Sequence, residues 1–160
     1  MANYTIKKGW HMSLPLWPRL WPFSKKSISG FIGFNEECFT AIEEIPGWNK
    51  LTGIASWRIH KDSARFVWRA TQDGKIRIAG YVYSNGVRTE KEITTISPKD
   101  HDFIISLEHN YGSWWFKVNG KQVWIPARKP RGQWFKCYPY FGGRSTAPHT
   151  IKIDIDLIKE

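Results

Sequence analysis

The chain is short of most features that assign a chemistry directly. Among 160 residues only Cys38 and Cys137 are cysteines; a lone, distant pair makes neither a disulfide framework nor a metal-ligand pair, and free thiols are expected. His11, His60, His101, His109 and His149 share no ligand spacing, so no recognisable zinc site is present and no metal or cofactor is expected. No G-x-S-x-G elbow, phosphate-cradling glycine loop or zinc-finger pattern occurs. The acidic pairs Glu36-Glu37 and Glu43-Glu44 are adjacent, and neighbouring residues on a strand point to opposite faces, which argues against the facing carboxylates of a glycosidase. No stretch approaches the ~20 apolar residues of a membrane span, and MANYTIKKGW lacks the apolar run of an export signal. The expectation is a soluble protein, cytoplasmic as synthesised, with no membrane partner. Helical periodicity is missing throughout.

Acidic residues are also absent where basic ones accumulate. Asn110 to Ile153 contains eight Lys or Arg and no Asp or Glu, whereas Ser27 to Asn49 contains four Glu and no Lys or Arg. The chain carries a formal charge of +10 with pI near 9.7, which favours anionic partners: an acidic glycan, an acidic protein surface, other copies of the chain, or nucleic acid. Ten Trp, nine Phe and six Tyr exceed what one core of this size needs, so some rings are expected in a contact surface. Residues 1–160 fit a single domain.

Strand-type alternation dominates. Asp62 to Glu92 holds three alternating segments divided by Asp73-Gly74 and Asn85-Gly86, dipeptides suited to tight turns, and reads as a three-stranded meander at the centre of a sheet. Its apolar face carries Phe66, Trp68, Ile76, Ile78 and Val82, with Ile105 from a later strand joining the core. Further strands are expected at Tyr4–Lys8, Ser27–Phe34, Cys38–Ile42, Leu51–Trp57, Phe103–His109, Trp114–Val118, Gln122–Ile125, Trp134–Phe141 and His149–Ile158, with Asn119-Gly120 as another hairpin turn. Residues 9–23, with three prolines and three tryptophans, read as an irregular cap or a mobile arm. Ten to twelve short strands make an all-β, two-sheet antiparallel sandwich.

The face opposite the core is a lattice of cations and rings. Arg65, Arg69, Arg77, Tyr81, Tyr83, Lys136 and Tyr138 suit ligand binding, because guanidinium forks take carboxylates in bidentate fashion and rings stack on sugars or bases. Trp17, Trp21 and Trp134, with Arg128, Lys129 and Arg131 from the ARKPRGQ loop, are candidates for docking a partner. The leading reading is a non-catalytic binding or assembly module for an acidic glycan or acidic protein surface. A polysaccharide lyase acting on uronates by β-elimination is the alternative, with Tyr138, Tyr140, His149 and Arg69 as its catalytic set. Nucleic-acid binding is a third.

YPYFGGRSTAPHTIKIDI, Tyr138 to Ile155, resembles the closing strands of concanavalin A-like jelly rolls. With DSARFVWRA and GKIRIAGYVYSNGVR it is similar to a group of bacterial and phage sandwich proteins, which implies that fold and a place in a virion. Arg88-Thr89-Glu90, Arg58-Ile59-His60 and Tyr138 to Phe141 resemble, distantly, the R-T-E, Q-I-H and Tyr-Phe-Lys motifs of alginate-lyase-type polysaccharide lyases. Arg58 replaces the glutamine, and the second motif precedes the first.

Overall fold

The computed structural model describes residues 2–15, 27–40, 47–128 and 134–158, together with the backbone of 22–23. Among the described residues twelve strands form two six-stranded antiparallel sheets. They are β1 (Ala2–Ile6), β2 (Pro22–Phe23), β3 (Ser27–Phe34), β4 (Asn49–Ser56), β5 (Ser63–Ala70), β6 (Ile76–Ser84), β7 (Val87–Ile96), β8 (Asp102–Asn110), β9 (Ser113–Val118), β10 (Lys121–Pro126), β11 (Trp134–Cys137) and β12 (Ile151–Leu157). One sheet runs β1-β12-β3-β8-β9-β10 and the other β2-β11-β4-β5-β6-β7. Among the described residues no helix is long and apolar enough to cross a membrane.

Period-two alternation places the core between the sheets. Ile28, Ile32, Phe103, Ile105, Leu107, Phe116, Ile151 and Ile153 face inward from the first sheet, and Ile54, Phe66, Trp68, Ile76, Ile78 and Val82 from the second. All six residues expected in the core are at most 1 % exposed. Rings interlock across the gap: Phe34 with Trp68 at 5.1 Å, Phe66 with Phe116 at 5.2 Å and Trp114 with Trp134 at 5.8 Å between centroids. Such pairs add to the burial of large apolar area.

The turns follow local chemistry. Asn85-Gly86 and Asn119-Gly120 have positive φ at both residues, as two-residue hairpins between right-twisted strands require. Asp73-Gly74 departs from expectation: only Gly74 has positive φ, and the loop spans Thr71 to Lys75, closed by the Thr71 amide donating to the Lys75 carbonyl at 2.8 Å. Tyr111-Gly112 makes a further tight turn, unexpected because tyrosine is no turn former.

The meander lies off centre, since β7 is the edge of its sheet. Glu36–Phe39 is a 3-10 turn where a strand beginning at Cys38 was expected; the Cys38 thiol donates to Asn35 Oδ1 at 3.0 Å, and both cysteines are buried and outside any disulfide. β11 stops at Cys137 and does not run on to Phe141, because Pro139 has no amide to donate. Of residues 9–23, Met12 bridges to Tyr140 and Leu14 to Thr5; Trp17 and Trp21 lie outside the described residues.

Candidate functional site

The site is built on the outer face of the second sheet. One row of opposed residues crosses five strands: Cys137, Gly53, Arg65, Tyr81 and Glu90. The adjoining row holds Lys50, Val67, Ala79 and Glu92. Register shifts flank this second row, between Lys50 and Thr52 on one side and at the Ile78/Ala79 pairing with β7 on the other. Bulges bend and twist a strand, and two at one level fold the face over Val67 and Ala79, which are fully covered although they point away from the core. Gly53 makes room for Arg65. A Cβ at Gly53 would come within 2.6 Å of Arg65 Cα and 2.9 Å of its Cγ, so only glycine lets the arginine stem lie across β4.

Arg65 lines a cleft of about 670 Å³ together with Lys50, His60, Cys137, Tyr138, Tyr140 and residues from Met12 to Pro15. Two irregular segments close it. Tyr140 exchanges backbone hydrogen bonds with Lys50 at 2.8 and 3.0 Å, the Phe141 amide donates to the His11 carbonyl at 2.7 Å, and the His11 ring stacks on Tyr140 at 5.3 Å. Loop 57–62 forms the opposite rim, with His60 edge-on to Tyr83 at 5.4 Å. Its anchor is Asp62, which accepts a two-pronged bond from Arg128 and one from the Asn85 amide; the Arg128 amide donates to Ser84 Oγ at 3.0 Å.

The cleft is electropositive and short of counter-charge. Arg65 is 6 % exposed, and its Nε and Nη2 are buried without a hydrogen-bond partner. Its Cζ lies 5.2 Å from the Tyr81 centroid, and Lys50 Nζ lies 5.6 Å from the same point. Burial, then repulsion from Arg65 and Arg88, lowers the Lys50 pKa from its ordinary value. Burial raises Tyr81 and Tyr138, keeping both phenols protonated near neutrality. No carboxylate is among the described residues lining the cleft. Buried cations without anions are costly to hold, and an anionic ligand group entering here would supply what they lack.

Of the residues expected from sequence to bind ligand, Arg65 and Tyr138 line the cleft, with Tyr81 against the Arg65 guanidinium. Arg69 stacks on Trp48 at 4.5 Å, and Arg77 forms a two-pronged pair with Glu92, holding that carboxyl below its ordinary pKa. Lys136 lies 5.6 Å from the Tyr138 ring, and Tyr83 supports His60. The expected catalytic set does not converge: Tyr138 and Tyr140 share the cleft, whereas Arg69 lies on Trp48 and His149 donates from Nε2 to the Glu37 carbonyl.

The expected docking residues divide as well. Trp134 is 2 % exposed and packs on Trp114 in the core, so it is no surface anchor, and Arg128 is engaged by Asp62. Lys129 and Arg131 lie outside the described residues. Sequence reading missed Lys50 and named His60 only within the Q-I-H-like motif, outside the ligand-binding set. Strict alternation back from Gly53 would turn Lys50 toward the core, and the register shift between Lys50 and Thr52 instead sets it opposite Val67 on the Arg65 face; His60 sits in a loop where periodicity carries no signal.

No protein-family model matches the chain, and no curated protein is significantly similar to it. Solved structures do superpose. An alginate lyase from Alteromonas sp.272 matches with a TM-score of 0.52 at 10% identity, over 99% of this chain and 78% of its own. A beta-1,3-1,4-glucanase (lichenase) derived from a mouse hindgut metagenome matches at 0.51 and 10%, over 97% and 77%. The mouse laminin alpha1 chain, domains LG4-5, matches at 0.52 and 13%, over 97% of this chain and 41% of its own. The R-T-E-like residues lie on edge strand β7 and Arg58-Ile59-His60 in a loop, so the lyase-like motifs do not meet as a strand-borne set. At these identities the likeness concerns architecture alone: the chain is a concanavalin A-like jelly-roll β-sandwich.

Proposed function

We propose that the chain is a glycan-binding module whose ligand carries carboxylate or sulfate groups, taken up by Arg65 and Lys50 in the cleft on the outer face of the second sheet. The carrying observation is Arg65, a buried guanidinium whose Nε and Nη2 have no partner among the described residues, in a cleft whose described lining holds no carboxylate. A guanidinium edge matches a planar carboxylate with two parallel bonds, while Tyr138, Tyr140 and His60 offer ring faces for a sugar. That structures of this architecture include enzymes named for polysaccharides supports the glycan class at the level of fold. Titration calorimetry with polyuronate and with sulfated dextran, at two salt concentrations, tests the reading. Saturable binding to one of them, lost in Arg65→Met, is expected; wild-type protein that binds neither refutes it.

A second reading is favoured by Lys50, whose lowered pKa and shared cleft with Tyr138 suit proton transfer. In β-elimination on a uronate, a base removes the proton at C5, the electron pair forms the C4–C5 double bond, and the glycosidic oxygen leaves with a proton from an acid. Ultraviolet absorbance of the unsaturated product, followed on polyuronates, decides between them. Turnover abolished by Lys50→Met replaces the binding-only reading, and absence of product under saturating binding removes the lyase.

A further inference from the structure

We infer that the Arg65 cleft is one end of an extended site whose second subsite is formed by Trp57, Arg58 and Lys61, so that the ligand is a linear glycan with anionic groups at two or more positions along its chain. The inference rests on the glycan reading above and names the ligand more narrowly. Ile59 and His60 line both the Arg65 cleft and a second depression of about 700 Å³, whose other walls are Trp57, Arg58, Lys61, Asn85 and Gly86. The two hollows therefore lie side by side across one wall.

The second hollow carries the elements a charged sugar needs. Trp57 is 83 % exposed, its indole tilted against Phe135 at 5.8 Å. Phe135 shares the outer face with Ala55, its cross-strand partner. An indole held at one edge and open to solvent is a poor choice for a core and a good platform for the apolar face of a pyranose. Arg58 and Lys61 make no ion pair or side-chain hydrogen bond among the described residues, and the nearest acid in sequence, Asp62, is held by Arg128. As in the first hollow, no carboxylate is among the described lining residues.

The platform is also held in place before any ligand arrives. The Lys61 and Asp62 amides donate to the Arg58 carbonyl at 2.9 and 3.0 Å, Ser56 Oγ donates to the same oxygen at 3.1 Å, and the Gly86 amide donates to the Lys61 carbonyl at 2.9 Å. A loop tied on both sides loses little freedom on contact, so its stacking and charge pairing go into affinity. A chain seated with one carboxylate at Arg65 and Lys50 passes over His60 and brings a later ring onto Trp57, its anion beside Arg58 and Lys61. A glycan is favoured over single-stranded nucleic acid because the first anion sits in a recessed cleft beside buried Arg65, whereas strand binding uses an open groove with successive stacking rings.

Calorimetry with a dimer and a hexamer of one 1,4-linked uronic acid tests this. Wild-type protein should bind the hexamer at least tenfold more tightly than the dimer. Trp57→Ala should bring hexamer affinity down to that of the dimer and leave dimer binding within twofold of wild type, with unfolding unchanged because the ring is exposed. Arg58→Ala with Lys61→Ala should lower hexamer affinity and flatten its salt dependence, and Arg65→Met should abolish binding of both oligomers. Equal wild-type affinity for dimer and hexamer, or hexamer binding untouched in Trp57→Ala, overturns the second subsite and leaves the cleft reading standing. Failure of wild-type protein to bind either oligomer, or a sulfated hexasaccharide run alongside, overturns both. Tighter binding of a deoxythymidine oligonucleotide than of the hexamer would reassign the extended site to nucleic acid.

Discussion

Replacing Arg65 with methionine should make the protein more stable while removing its ligand. In the free protein Nε and Nη2 are buried without partners, and each unsatisfied donor costs about 1–3 kcal/mol. Repulsion from Lys50 adds to this, since burial and then the Arg65 charge lower that lysine's pKa. Against these stands the guanidinium's contact with the Tyr81 ring, worth about 0.5–2 kcal/mol. Methionine keeps the stem across Gly53 and removes the charge, and apolar replacements of buried charges commonly gain about 1–4 kcal/mol. A gain of about 2 kcal/mol corresponds to a rise in melting temperature of about 4–8 °C at this chain length. Urea denaturation at neutral pH measures it, with titration of an acidic glycan on the same samples; losing a buried charge contact should weaken binding at least about thirtyfold. A loss of stability beyond about 1 kcal/mol would show that Arg65 holds the native face together, and the argument that it awaits an anion would fall.

Other consequences are more local. Gly53→Ala should displace the Arg65 stem, since its Cβ would sit 2.2 Å from the Ala64 carbonyl oxygen; a loss of about 1–3 kcal/mol together with weakened glycan binding is expected, and unchanged values for both would clear Gly53 of this role. Trp68→Ala, at a ring 1 % exposed, should cost about 3–5 kcal/mol, and a melting temperature within a degree or two of wild type would mean that the faces are inverted. Arg128 holds the Asp62 carboxyl below its ordinary value of 3.8. The folded state thus binds that proton less readily than the unfolded chain, so the pair's contribution is full above the ordinary value and is lost as pH falls through the depressed one. Asp62→Asn should flatten that acid-side slope, and equal slopes in variant and wild type would remove the clamp from the account.

Much of the fold was legible because it rests on local rules. Two-sided strands alternate, asparagine-glycine pairs tolerate positive φ, and Phe66, Trp68 and Ile78 fall on one face whichever strands pair with theirs. Features that depend on partners were not legible. Nothing local shows that β7 is an edge, that Asp73-Gly74 belongs to a longer loop, or that Trp134 turns inward while Trp57 turns out. On the outer face, residue type alone made Arg65, Arg69 and Arg77 equivalent. Structure separates them by what lies alongside: Trp48 for Arg69, Glu92 for Arg77, and for Arg65 a bulged strand, a glycine and no acid. Lys50 was hidden by the bulge that presents it.

The two outer faces of the sandwich differ in a way that bears on where function resides. On the first sheet Lys152, Asp154 and Asp156 alternate with the core isoleucines of β12, Lys117 stands opposite Ser106, and Phe31 lies half exposed beside Ile104; the charges of this face are mixed. On the second sheet a guanidinium is buried with Nε and Nη2 unpartnered among the described residues, a lysine is held below its ordinary pKa by burial and neighbouring cations, and an indole stands in water at the rim. Each of these is unfavourable to the free protein, and all three lie along hollows that share one wall. Local conflicts in an otherwise consistent fold concentrate at functional sites, and these three are relieved by one kind of ligand, an extended molecule with apolar ring faces and several negative charges. Self-docking through the basic tract is less well supplied, because Arg128 is taken by Asp62 and Trp134 by the core.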